Sequence, residues 1–250
     1  MTLTEQQKSQ FLDEGFLVIR AVLSQQNLDY YRGIYEDFLS GRIESGPLRS
    51  DLSAASEEGE AEKITQIMVP SRLEPQLLTQ QLHQVTESIA KALLGADMAL
   101  DFDMLIDKAP HTDTPTPWHQ DAAYWIEMPD KRALSCWTAL DDVFKENGCM
   151  WYIPGSHQEP LRQHQFANKE GGALQCQANE EEAVAAEINA GDCVIHHGGT
   201  AHYSRGNSTL RRRRAFITNY RPQTMIDFER AEGFDHTSER LVRNAGDPSS

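Results

Sequence analysis

Within the segment TPWHQDAAYW, residues 116–125, His119 and Asp121 are separated by one residue. On an extended strand, positions i and i+2 point to the same face. An imidazole and a carboxylate so placed can converge on one cation. A further histidine would complete a two-histidine, one-carboxylate set, the kind that holds Fe(II) on one face and leaves positions open for reactants. His-x-Asp by itself has little specificity in a chain with 9 histidines and 38 acidic residues. The candidates for the third ligand are His202, in GGTAHYSRGNSTLRRRRAF, and its competitors His196 and His197. His157, in PGSH, reads as a structural residue beside a turn.

The basic run Arg211–Arg214 is the second chemical feature. As a whole it reads either as a solvated run or as a patch for a polyanion. Its members need not share one role. If residues 213–220 form a strand, Arg213, Ala215 and Ile217 share one face, and Arg214 and Phe216 share the other. An inward Arg213 beside a small alanine has room to reach an interior.

Short apolar or alternating runs at 99–107, 133–140, 149–153, 193–197 and 213–220 must carry these groups. They are separated by Gly, Pro, Asp and Asn, the pattern of an all-β assembly. The first third reads differently. Thr4 and Gln7 form a capping box for a short helix, and Phe16 to Val22 reads as a strand. Ser24 caps a helix with Leu28, Tyr31, Ile34, Tyr35, Phe38 and Leu39 on its apolar face, stopped by Gly41. A third helix is expected over roughly 74–94, with Leu78, Leu82, Val85, Ile89 and Leu93 as its buried stripe and Gly95 as its stop. The acidic segment 51–62 (DLSAASEEGEAE) offers little to bury. It is expected to be a mobile loop, either a solvated insertion or a lid. The expected fold is mainly β with flanking α-helices around a double-stranded β-helix, a cupin-like jelly roll. The chain is read as one domain: a mostly helical part over 1–97, a jelly-roll core over 98–222 and a C-terminal tail over 223–250.

Bulk properties narrow the function class. The formal net charge of −15 over 250 residues argues against generic binding to nucleic acid or an anionic membrane. No run of 18 apolar residues is present. Cys136, Cys149, Cys176 and Cys193 form no Cys-x-x-Cys pair, and the N-terminal MTLTEQQKSQF lacks an apolar signal core. The expectation is a cytoplasmic protein with reduced thiols. No feature of the sequence specifies an oligomeric state.

Six blocks, in order, resemble the phytanoyl-CoA dioxygenase family of Fe(II)/2-oxoglutarate oxygenases. They are MLIDKAP, WHQD, CWTALDD, NGCMWYIPGSH, Gly191-Asp192 and HYSRGNSTLRRRRA, together covering about residues 98–222. The resemblance implies His119, Asp121 and His202 as iron ligands. It selects His202 because only this histidine has serine two residues on, asparagine five on and arginine eleven on. That arginine is Arg213, implied to anchor the 5-carboxylate of 2-oxoglutarate. Guanidinium suits the task, being always charged and fork-shaped. Trp137, Met104, Ser204 and Lys63, the last in EKITQI, are implied as further co-substrate contacts. Asp121 separates the chain from related halogenases, which carry Gly or Ala there. The implied reaction uses Fe(II), 2-oxoglutarate and O2 to hydroxylate an unactivated C–H of a small organic metabolite, releasing succinate and CO2. The alternatives are an acyl-CoA hydroxylase of the phytanoyl-CoA type and a catalytically silent metal-binding jelly roll. Gln120, Tyr124, Trp125, His111, Arg205 and Trp151 are candidate pocket residues without assigned roles.

Overall fold

A computed structural model describes residues 2–53, 61–168 and 171–237. Its core is two facing antiparallel sheets. The larger has seven strands in the order β1 (Phe16–Ile19), β11 (Cys193–His197), β6 (Leu134–Ala139), β13 (Arg213–Pro222), β4 (Met98–Lys108), β3 (Ile64–Met68) and β2 (Arg49–Asp51). The smaller has four: β10 (Val184–Ala186), β7 (Met150–Tyr152), β12 (His202–Ser204) and β5 (Thr116–His119). A separate hairpin, β8 (His164–Asn168) with β9 (Gly171–Cys176), lies beside β5. The five strands expected from residue 99 onward are all present, within one or two residues at each end.

Alternation along β13 divides the molecule into two apolar cores. Phe216 and Tyr220 face outward. They pack with Tyr31, Tyr35 and Phe38 of α2 (Gln25–Leu39) and with Leu82 and Ile89 of α4 (Gln81–Leu94). Ala215 and Ile217 face inward, with Trp137, Ala139 and Ile106 of the same sheet and Met150 and Tyr152 of the other. A slip of one residue would exchange the two faces, so the buried side chains on both sides fix the register. Fully burying a side chain such as Phe216 contributes about 1.5–3 kcal/mol.

The flanking elements follow local chemistry. In α1 (Glu5–Glu14) the Thr4 hydroxyl accepts from the Gln7 amide at 3.2 Å, and the Thr4 N–H donates to Gln7 Oε1 at 2.9 Å. Gly15 ends the helix at φ 80°, where a Cβ would come within 2.5 Å of Thr200 Oγ1. Its carbonyl accepts from the His197 N–H and the Thr200 hydroxyl, each at 2.8 Å. The start of the chain thus props the turn that leads into His202.

Three differences from the sequence-based expectation have physical reasons. The helix expected over 74–94 is broken. Pro75 opens a 3-10 turn to Thr79, Gln80 is extended (φ −82°, ψ 163°), and α4 starts afresh, leaving Leu78 47% exposed. The strand expected over Phe16–Val22 stops at Ile19, because Ala21 takes a left-handed conformation (φ 54°). The part described as mostly helical also contributes β1, β2 and β3 to the larger sheet. Of the acidic segment expected to be a mobile loop, residues 54–60 lie outside the described residues. Its flanks are held: the Asp51 carboxylate accepts from the N–H groups of Ser53, Lys63 and Ile64, and Arg49 forks Glu62. After β13 the chain forms α5 (Gln223–Ala231), which buries Met225, Ile226 and Glu229. Among the described residues, no helix is long and apolar enough to cross a membrane.

Candidate functional site

His119 and His202 sit directly opposite each other on the paired strands β5 and β12. Each imidazole is oriented by its own chain. His119 Nδ1 lies 2.7 Å from the Pro117 carbonyl and His202 Nδ1 2.9 Å from that of Thr200. A carbonyl only accepts, so each Nδ1 carries the proton and each Nε2 presents its lone pair. Strand β5 ends at His119, and Asp121 opens a 3-10 turn to Tyr124. Gln120 between them is still extended (φ −123°, ψ 129°), so Asp121 keeps the side of His119. Asp121 Oδ1 lies 3.7 Å from His119 Nε2 and 3.6 Å from His202 Nε2. The three ligand atoms all fall within 4.8 Å of one another, a geometry that could hold one metal ion.

The protonation states suit that use. Burial raises the Asp121 pKa, but His202, His196 and His119 outweigh it and hold the carboxyl far below its ordinary range. Burial pushes His202 well below the usual histidine range, keeping it neutral. A second acidic cluster, Asp101, Glu229 and His236, has similar spacing. Arg221 and Arg230 already pair with both of its carboxylates, making it an ion-pair network rather than a cation site.

His196 is near but differently engaged. Its Nε2 lies 3.2 Å from Asp121 Oδ2, the oxygen turned away from the other two histidines. The Ser135 hydroxyl donates to the same oxygen at 2.8 Å, and Asn219 Nδ2 donates to Ser135 Oγ at 2.9 Å. His197 points elsewhere: its Nδ1 accepts from the Gly199 N–H at 3.0 Å, and burial lowers its pKa to about 4. His157 Nε2 meets the Leu12 carbonyl at 3.1 Å.

Arg213 is 1% exposed and lies on the inner face. Its Nη2 donates to Ser204 Oγ at 3.4 Å, while Nε and Nη1 meet no acceptor among the described residues. Its guanidinium carbon is 5.1 Å from the centre of the Trp137 ring. Burial lowers its pKa to about 10, leaving it cationic at neutral pH. A buried cation with two uncommitted donors is a demand for an anion. Ser204 ties this demand to the candidate metal site: it follows His202 by two residues on β12, about 7 Å along the strand. The other arginines of the run are engaged elsewhere. Arg212 pairs with the buried Asp107, and Arg214 forks Asp141 at 2.8 and 2.9 Å and meets Glu36. Only Arg211 is exposed with no such pair, so the run is not a polyanion patch.

Met104 is on the inner face beside Gln66, opposite Ile217 in register. Gln66 is a buried polar residue with no motif or spacing around it that would single it out. Lys63 lies just before β3; its backbone binds Asp51 and Ala109, and its ammonium makes no hydrogen bond to the groups above. Of the candidate pocket residues, Tyr124 presents its ring edge-on to His119 at 5.8 Å, and its hydroxyl accepts from the Leu174 N–H at 2.7 Å. Gln120 is a tie rather than a contact: its amide donates to Gly199 O at 2.7 Å and accepts from Arg162 N at 2.8 Å, and its N–H donates to His164 Nε2 at 3.1 Å. Tyr124 and Gln120 thereby pin the base of the β8–β9 hairpin. Trp125 lies under Arg221, 3.9 Å away. Trp151 alternates to the outer face of β7, where Arg205 stacks on it at 5.0 Å and pairs with Glu180. His111 is solvent-exposed.

Residues 11–215 match the phytanoyl-CoA dioxygenase (PhyH) family. A probable phytanoyl-CoA dioxygenase of Caenorhabditis elegans is 25% identical over 274 residues, covering 99% of this chain and 88% of that protein. The crystal structure of EvdO2 from Micromonospora carbonacea var. aurantiaca, complexed with 2-oxoglutarate, is 28% identical, with a TM-score of 0.72 over 88% of this chain and 91% of that one. SnoK, a non-haem α-ketoglutarate-dependent carbocyclase from nogalamycin biosynthesis, is 25% identical, with a TM-score of 0.70 over 88% and 84%. With a matched region that spans most of its length, the chain belongs to the phytanoyl-CoA dioxygenase family of non-haem iron, 2-oxoglutarate-dependent oxygenases.

Proposed function

We propose that this protein hydroxylates an unactivated C–H bond of a small organic metabolite, with 2-oxoglutarate converted to succinate and CO2. His119, Asp121 and His202 would hold the iron, and Arg213 would hold the distal carboxylate of 2-oxoglutarate. The observation that carries this reading is the pairing of two demands on one strand: three converging ligand atoms at His202, and a buried arginine with free donors at Ser204, two residues on. A five-carbon diacid can answer both, with its keto-acid end at the metal and its other end at Arg213. A silent metal-binding protein has no use for such a buried, unpaired cation.

The residues have separable tasks. The carbonyls of Pro117 and Thr200 keep both Nε2 atoms available. Trp137 packs along the guanidinium, and Ser204 accepts one of its protons and can share in binding the carboxylate. Met104 and the inward aliphatic side chains exclude water, which strengthens each charge interaction. Iron, when bound, supplies the activation of O2 and the abstraction of the substrate hydrogen. The resemblance also implies Lys63 as a co-substrate contact, and it lies half-buried just before β3.

The substrate class is read from what the surface lacks. Arg212 and Arg214 are held by acidic partners and Arg213 is buried, which disfavours a CoA polyphosphate at that place and favours a small metabolite. Four unpaired cysteines suit a reducing compartment such as the cytosol. The test is anaerobic binding of Fe(II) and 2-oxoglutarate, followed by a succinate-release screen over free acids, amines, polyketide-like phenols and CoA esters. Succinate release stimulated only by CoA esters would replace the small-metabolite reading with the acyl-CoA one. Failure to bind 2-oxoglutarate with metal present would overturn both.

A further inference from the structure

Both donors that reach the Asp121 carboxylate at hydrogen-bond distance go to one oxygen. Ser135 Oγ is 2.8 Å and His196 Nε2 is 3.2 Å from Oδ2, whereas the nearest neighbours of Oδ1 are His119 and His202 Nε2 at 3.7 and 3.6 Å. The donors are themselves held. The Ser135 hydroxyl, accepting from Asn219 Nδ2 at 2.9 Å, turns its own proton to Asp121. The Tyr152 hydroxyl lies 3.3 Å from His196 Nδ1, and Tyr152 is fixed by stacking on Phe16 with ring centres 4.9 Å apart. A proton on Tyr152 Oη aimed at Nδ1 places the imidazole proton on Nε2, facing Asp121. Ser135, His196, Tyr152 and Asn219 are all essentially buried, so water does not compete for these bonds. They come from four strands of both sheets, β6, β11, β7 and β13.

We infer that Ser135 and His196 are positioning residues that confine Asp121 to one-oxygen coordination. The inference rests on the iron-site reading above. Two imidazoles and one carboxylate oxygen fill three of six positions, and a chelating keto acid fills two more. One position remains for O2. A carboxylate free to swing and bind through both oxygens would occupy it. By holding Oδ2 in hydrogen bonds, Ser135 and His196 keep that position open, and they also fix the orientation of Oδ1 on which affinity depends.

The test uses Co(II) as a spectroscopic probe in the full-length protein, without turnover. Ser135→Ala and His196→Leu are expected to weaken Co(II) binding about 10- to 100-fold, the usual effect of losing such an outer partner. They are also expected to alter the ligand-field spectrum, which reports coordination number. Ser135→Thr and His196→Gln, which restore a donor, are expected to recover most of both. Asp121→Ala and His119→Ala are the controls. If these controls lose Co(II) binding while Ser135→Ala and His196→Leu match wild type in affinity and spectrum, the positioning role is wrong and the triad stands. If the controls also match wild type, the triad itself is wrong. Equal losses in Ser135→Ala and Ser135→Thr would mean packing rather than orientation, and would also overturn the inference. Should His196→Leu fail to fold, the Ser135 pair, which changes a single small side chain, decides the matter.

Discussion

Replacing Arg213 by methionine should weaken 2-oxoglutarate binding and yet leave the free protein at least as stable. The side chain is 1% exposed, two of its donors have no acceptor among the described residues, and burial has already lowered its pKa to about 10. A charge in that state is stabilised only when its anion arrives. Removing one member of a shielded charge pair costs on the order of 3–5 kcal/mol of binding. At about 1.4 kcal/mol per decade, that is roughly two to three and a half orders of magnitude in Kd. Replacing a buried ionic group by an apolar side chain of similar volume is often neutral or stabilising, by roughly 1–4 kcal/mol. The assay is thermal unfolding of metal-loaded protein with and without 2-oxoglutarate. At 100 times Kd, wild type gains about 2.7 kcal/mol, or about 5–11 °C for a chain of this size. At the same concentration Arg213→Met, with Kd about 100-fold higher, gains about 0.4 kcal/mol or less. A variant that is less stable when free, yet shows the full ligand-induced shift, would refute the argument.

Asp121→Ala should abolish succinate release and weaken metal binding by more than tenfold, measured by Co(II) titration; turnover like that of wild type would remove Asp121 from the site. Arg212→Ala should leave 2-oxoglutarate affinity unchanged but destabilise the fold by about 1–3 kcal/mol, because it strips the partner from the buried Asp107, whose pKa burial has already raised to about 6; denaturant unfolding measures it. His236 tests pH dependence. Although burial lowers its pKa, Asp101 and Glu229 raise it above the ordinary histidine value overall. Its contribution is therefore full below about pH 6.5 and is lost as pH rises through the higher folded value. Hydrogen exchange over α5 should speed up beyond its intrinsic pH dependence as pH rises above about 6.5, and His236→Gln should remove that excess.

Much of the scaffold was legible because alternation is a local signal. Arg213, Ala215 and Ile217 were assigned to one face from parity alone, and they do share the inner face. The β3 strand was not seen because Ile64–Ile67 is buried on both faces and has no alternation to read. The break before α4 was not seen because Leu78 keeps helical spacing with Leu82, although Pro75 and an extended Gln80 stop the chain between them. His196 shows the limit most sharply. It and His202 are both inward histidines, and nothing local distinguishes a candidate metal ligand from a hydrogen-bond donor to one. That distinction is created by which strands are neighbours: β12 lies against β5, while β11 lies against β6 and brings His196 to the far oxygen of Asp121 beside Ser135.

The direct pairing of His119 with His202 has a consequence for the life history of the protein. These two residues lie far apart in sequence, and only the β5–β12 ladder brings them together. That ladder has β7 beside it in the smaller sheet, so the candidate metal site exists only once long-range strand pairing is complete. Such non-local pairing is slow to form. If these residues hold the iron, a partly folded chain would offer at most the local His119–Asp121 pair, and loading should follow the pairing of β5 with β12. Metal availability would then act on the finished protein by mass action, holding closed molecules closed, and iron starvation would register first as a shorter lifetime of the folded chain.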